Sequence, residues 1–179
     1  LAPWSSPWWS SISSTSSDEA PIVLTDGLNH VATLTSDATR LHAFYEEVFE
    51  AEVVRDAPEV DDEAVRLSVV MIGPHTELNV FQIEGNTEAE RQVPMFGRGR
   101  LDHFALQAAS LDAFETIRDR LMARGACDAF VTDFGPVLSL FFRDPDGLEG
   151  EVCVTNPDAV PGVGHPPGTP ARRYVPEDP

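Results

Sequence analysis

Along residues 28–35, LNHVATLT, and again along 101–108, LDHFALQA, apolar and polar positions roughly alternate, as they do in a strand with one buried face. Each run leads into apolar residues at helical spacing: Leu41, Phe44, Tyr45 and Val48 after the first, Leu111, Phe114, Ile117 and Leu121 after the second. The spacing predicts helices over about 37–49 and 110–124, with Asp37 and Ser110 capping their starts and Gly125 ending the second. Three extended segments follow each helix. In the first half they are 51–56, 64–72 and 76–83, with IGPH at 72–75 as a turn. In the second they are about 127–132, 136–143 and 149–155, with DPDG as the turn.

The halves are also alike residue by residue. Leu28, His30 and Ala32 match Leu101, His103 and Ala105, and the helices share Leu-x-Ala-Phe, from Leu41 and from Leu111. The chain thus repeats one βαβββ unit. One copy alone leaves a sheet with a bare face. The expected fold is therefore α+β, two tandem βαβββ modules forming a curved, partly open, eight-stranded barrel-like sheet around a cavity. The expected divisions are a flexible Ser/Trp-rich extension over 1–25, modules over 26–97 and 98–155, and a Pro/Gly-rich tail over 156–179. The leading segment lacks the basic start and continuous apolar centre of a signal peptide. Its Trp4, Trp8 and Trp9 offer the alternative of docking on a partner subunit. The tail is either a loose arm or a strap over the domain.

Charge narrows the partners. Twelve Lys and Arg stand against 30 Asp and Glu, a formal net charge of −18, which argues against nucleic acid or an anionic membrane. No apolar run reaches the roughly 18 residues of a membrane span. Cys127 and Cys153 are the only cysteines, which suggests neither a thiolate cluster nor a disulfide framework and points to a reducing, cytoplasmic setting.

The candidate chemistry starts at Glu151, a carboxylate entering the apolar strand Val152-Cys153-Val154. Such burial is costly without an opposite charge. His30 and His103 occupy equivalent places on the first strand of each module. If the two sheets face each other, His30, His103 and Glu151 converge on one cavity. Two imidazoles and a carboxylate suit a divalent transition metal with positions open for water or substrate. A lone strand histidine is more often a hydrogen-bonded structural residue; two at repeat-equivalent positions beside Glu151 are less easily accidental. His42, on the helix, and His75, in a turn, are expected to face solvent, and Tyr45 to lie in the helix core. Only Tyr174, in the tail, has the freedom to fold back toward a cavity.

With these residues in place the chain resembles the vicinal oxygen chelate superfamily of glyoxalases, bleomycin resistance proteins and extradiol dioxygenases. NHVAT and DHFAL resemble the first strands of its modules, and FFRDPDGLEGEV its closing hairpin, where the ligand glutamate stands four residues after the turn glycine; here that is Glu151, not Glu149. The resemblance covers 27 to about 155. It implies metal ligands His30, His103 and Glu151, with Asn79 of TELNVFQIEG in the slot where relatives often carry a fourth Glu or His. Glu77 enters that slot only if the register shifts. With Asn79 there, the ligands form the facial triad of extradiol dioxygenases, with Fe2+ first among candidate ions and Mn2+, Ni2+, Zn2+ or Co2+ as others; with Glu77 the set is glyoxalase-like. The strands offer none of the extra His or Tyr acid–base groups of ring-cleaving members. The implied function is a metal-dependent dioxygenase, lyase or isomerase acting on a small oxygen-chelating substrate such as a catechol, a hydroxycarbonyl or an enolisable acid. Glu151 and Glu77 are its candidate catalytic carboxylates. Phe81, Phe104 and Phe142 shape the pocket or, alternatively, pack the core. The competing function is metal-free sequestration of a small molecule, of the bleomycin-resistance kind. Modules of this family pair within a chain or across a dimer; a homodimer is the expectation.

Overall fold

The computed structural model describes residue 24, residues 28–91, 93, 96–97 and 101–171. Trp4, Trp8, Trp9 and Tyr174 lie outside the described residues. Among those described, the order is β1 (His30–Leu34), α1 (Ala38–Phe49), β2 (Glu52–Pro58), β3 (Val65–Met71), β4 (Glu77–Ile83), a 3-10 turn (Glu88–Glu90), β5 (Phe104–Gln107), α2 (Leu111–Ala123), β6 (Val131–Asp133), β7 (Val137–Arg143) and β8 (Glu149–Thr155). The βαβββ unit thus occurs twice, and the fold is α+β. The strands form two four-stranded mixed sheets, β1-β4-β3-β2 and β5-β8-β7-β6, with no closed barrel.

The caps behave as their chemistry requires. Asp37 Oδ1 accepts from the Arg40 amide at 3.0 Å and Ser110 Oγ from the Ala113 amide at 3.1 Å. The second module's first hairpin strand is shorter than its apolar pattern predicts, starting only at Val131. Asp128 accepts from the Phe130 amide and Ala129 adopts a left-handed φ of 65°, which breaks the extension over 127–130.

Each helix buries its apolar stripe on its own sheet. Leu41, Tyr45 and Val48 pack with Val70, Leu78 and Val80, while Phe114 and Leu121 pack with Leu140, Val152 and Val154, all within one cluster. Each such side chain contributes roughly 1.5–3 kcal/mol of burial. The two halves share that core. The Phe142 ring of β7 lies 6.2 Å from Phe44 and 5.3 Å from Phe49 of α1. Gly150 opposite it on β8 leaves the ring its space, since a Cβ there would collide with it. Arg120 of α2 donates to the Val48 carbonyl and to Glu50 beyond α1. Both helices therefore lie on one side of the molecule, and the modules sit side by side.

The DPDG turn clasps this junction. Asp146 accepts from Thr35 Oγ1 at 2.6 Å and from Arg40 at 2.7 Å, at the start of α1. Asp144 is buried, accepts from the amides of Asp146 and Leu148, and meets the buried Tyr45 hydroxyl. Burial, opposed by those amides, pushes its carboxyl up to about 6. With a folded value above the unfolded one, the folded protein holds this proton more tightly, so stability is lost as pH rises through this range. Asp144→Asn keeps an oxygen acceptor and removes the ionisation. The variant is expected to unfold with about 3 kcal/mol more stability at about pH 8, the gain roughly halving at about pH 5; urea melts at both pH values check it.

Beyond β8, residues 156–171 run as a strap. The Thr169 carbonyl accepts from the Asp133 amide, Pro170 bridges Thr132, and Ala171 is buried with its amide on the Val131 carbonyl. Among the described residues no helix is long and apolar enough to cross a membrane.

Candidate metal centre

Alternation along β7 and β8 decides what the second sheet exposes away from the helices. Leu138, Leu140, Phe142, Val152 and Val154 go to the core. Ser139, Phe141, Glu151 and Cys153 take the other face, with Phe141 opposite Glu151 and Ser139 opposite Cys153. His103, just before β5, joins them: its Nε2 stands 3.4 Å from Glu151 Oε2, and its ring edge meets Phe141 at 5.6 Å. Glu151 is only 9% exposed, and its other oxygen accepts from the hydroxyl of the fully buried Ser139. Burial, and then the Glu151 charge, pushes the neighbouring Cys153 thiol up to about 12.

The pair fits a divalent ion. Two ligand atoms each about 2.1 Å from one ion and about 105° apart are separated by roughly 3.3 Å. His103 Nδ1 is engaged by Asp102 Oδ2 at 2.9 Å, which leaves Nε2 as the coordinating atom.

The first sheet presents the counterpart. His30 is exposed, with its Nδ1 2.8 Å from Asn29 Oδ1. In the parallel pairing His30 faces Glu77, Ala32 faces Asn79 and Leu34 faces Phe81, so Glu77, Asn79 and Phe81 share the His30 face. In the second module Ala105, two residues after His103, faces Glu151. The register thus gives Asn79 the position equivalent to Glu151, and Glu77 lies one pleat away. The Asn79 Oδ1 atom is buried and has no hydrogen-bond partner among the described residues.

Within one chain, His103 and Glu151 come together and His30 does not join them: no group of three or more His, Cys, Asp or Glu able to hold one ion occurs among the described residues. The cause is the side-by-side packing. The edge strands β1 and β5 flank a cleft of about 260 Å³ lined by Val31, Leu34, Leu101, His103, Asp146 and Leu148.

The model of the Glyoxalase/Bleomycin resistance protein/Dioxygenase superfamily matches residues 27–152. The chain belongs to this superfamily. Similar solved structures carry the same fold. A glyoxylase/bleomycin resistance protein/dioxygenase domain from Frankia sp. EAN1pec is 18% identical, with 75% of this chain and 95% of that chain covered and a TM-score of 0.60. A mutant of the fosfomycin resistance protein FosX from Listeria monocytogenes, complexed with Mn(II) and 1S,2S-dihydroxypropylphosphonic acid, is 19% identical over 72% and 92%, with a TM-score of 0.55. Lactoylglutathione lyase from Agrobacterium tumefaciens is 21% identical over 74% and 96%, with a TM-score of 0.52. No functionally curated protein matches the chain in sequence.

For a superfamily member, some expected positions are corrected. Phe142 lies in the core: it is 2% exposed and packs on α1, and Phe141, its neighbour of opposite parity, stands at His103. Phe104 packs against the core with its ring 6.4 Å from Phe142, and also lines the β1–β5 cleft. His42 does not face solvent; it is 7% exposed under α1, its Nε2 lacks a hydrogen-bond partner among the described residues, and burial lowers its pKa. His75 is exposed as expected. Asn29, Asp102 and Ser139 complete the site, with Phe141 of the VLSLFF strand. The signal for the first two was an Asx residue before each repeat histidine; for Phe141 it was parity with Glu151.

Proposed function

We propose that this chain is a metal-dependent enzyme acting on a small organic molecule that offers oxygen atoms to a divalent ion. The observation that carries the reading is the approach of His103 Nε2 to Glu151 Oε2 at 3.4 Å, on a sheet face outside the hydrophobic core. The third ligand is His30 of a second copy, and the active form is a homodimer in which the first sheet of one chain covers the second sheet of the other. Bound there, a divalent ion supplies Lewis acidity toward a substrate oxygen.

The chain's own groups do the rest. Ser139 fixes the Glu151 carboxylate by donating to it. Asp102 and Asn29 hold the imidazoles. Glu77, beside His30 in the register, is the group we assign to accept a substrate proton, and Asn79 holds the slot equivalent to that of Glu151. Phe81 and Phe141 give the site apolar walls. Two imidazoles and one carboxylate, with the neutral Asn79 in the fourth slot, form the facial triad suited to Fe(II), so ring-cleaving oxygenation of a catechol is the finer reading. Mn(II), named with one FosX structure, is the next ion to test. Two free cysteines suit a reducing, cytoplasmic setting.

Elemental analysis of purified protein is expected to find about one divalent ion per chain. After loading with Fe(II), oxygen uptake with catechols supports the dioxygenase; turnover of a hydroxycarbonyl without oxygen uptake supports an isomerase or lyase. Protein that binds no ion yet retains a small molecule overturns the enzyme reading in favour of sequestration.

A further inference from the structure

The same small device stands beside both histidines. His30 Nδ1 lies 2.8 Å from Asn29 Oδ1, and His103 Nδ1 lies 2.9 Å from Asp102 Oδ2. In each case the partner is the residue immediately before the histidine, at the repeat-equivalent position. Asp102 is itself tied, since its Oδ1 accepts from the Phe96 amide. An oxygen acceptor at Nδ1 obliges a neutral imidazole to carry its proton there, because a ring nitrogen without hydrogen would set two lone pairs against each other. In His103 both ring nitrogens face carboxylates, but the Nδ1 contact is the shorter, 2.9 Å against 3.4 Å at Nε2, so the single proton of the neutral ring sits on Nδ1 and leaves Nε2.

We infer that Asn29 and Asp102 are positioning residues that lock His30 and His103 as Nδ1–H tautomers and so present Nε2 as a bare donor before any ion arrives. Free imidazoles in water favour the Nε2–H form, so without the lock each ligand must exchange its proton as well as its hydration on binding metal. The modules differ in one respect. His103 has a charged carboxylate behind it and His30 a neutral amide, so the donor paired with Glu151 is backed by the stronger acceptor. The value of the lock to the protein rests on the metal reading above; the tautomers themselves do not.

The test uses metal-free protein. Long-range proton–nitrogen correlation spectra at alkaline pH are expected to report both rings as Nδ1–H. Asp102→Leu should move His103 to the Nε2–H form and leave His30 unchanged, Asn29→Ala should do the converse, and Asp102→Asn, which keeps an oxygen, should preserve the native tautomer. Titration with Mn(II) should show a loss of about 10–100-fold in affinity for Asp102→Leu and recovery in Asp102→Asn. Nε2–H rings in the unaltered protein, or a His103 tautomer indifferent to Asp102→Leu in a variant whose amide spectrum remains dispersed, overturn the inference. Correct tautomers in a chain that takes up no metal support the lock and remove the enzyme reading, so the two failures are distinct.

Discussion

Glu151→Gln and His103→Ala are each expected to weaken divalent-metal binding by on the order of 100- to 1000-fold. The size follows from sharing the roughly 10–16 kcal/mol of a protein-held zinc site among its ligands, about 3 kcal/mol apiece. Glu151 has the further burden of being the anion. It is 9% exposed at the head of the apolar stretch Val152–Val154, and the Ser139 hydroxyl, the His103 ring and the Cys153 thiol are polar groups that meet it. A buried carboxylate in such a place costs stability unless a cation compensates. The two variants should therefore separate folding from binding. Metal-free Glu151→Gln melts at or above the temperature of the metal-free parent, because the amide still accepts from Ser139 and carries no charge. Added metal at about 100 times its Kd stabilises the parent by about 2.7 kcal/mol, roughly 5–10 °C in Tm, and leaves both variants unmoved. A Glu151→Gln protein that still gains the full thermal shift rules out this carboxylate as a ligand.

Much of the architecture is written in periodicities. The change from alternating to helical spacing at Asp37 and Ser110, the caps there and the DPDG turn mark both modules, because short-range chemistry decides each of these features. Strand parity also carried the second half of the site: once Val152 and Val154 go inward, Glu151 must go outward, and Ser139 and Phe141 follow from the pairing. Phe142 shows where that reasoning is fragile. Two adjacent phenylalanines differ only in parity, and only the ladder assigns Phe141 to His103 and Phe142 to α1. His42 failed for a related reason. A histidine next to the apolar stripe of α1 reads as boundary, yet it is buried, within electrostatic reach of Asp56 and Arg66 on the sheet. What no local pattern contained was the placement of one module against the other. That is set by Phe44, Phe49 and Phe142 sharing a core and by Asp146 seizing Thr35 and Arg40, contacts separated by about a hundred residues of chain.

That placement leads to the second large effect. Because the helices share one side, a chain by itself offers His103 with Glu151 in one place and His30 in another. If a second copy supplies the missing imidazole, a twofold dimer has two sites, each built from the first module of one chain and the second module of the other. His30→Ala and His103→Ala proteins, prepared separately, are each expected to lack tight metal binding, since every site then misses one ligand. Dissociated and reassembled together, they should recover about a quarter of the parent's metal content, for about half of the dimers are mixed and each mixed dimer has one whole site and one doubly defective site. Turnover should return in the same proportion. Within a single chain no such rescue is available, because each polypeptide carries its own lesion. Mixtures that stay empty under conditions where isotope-labelled chains exchange, or a monomer that binds one ion per chain, would refute the shared site.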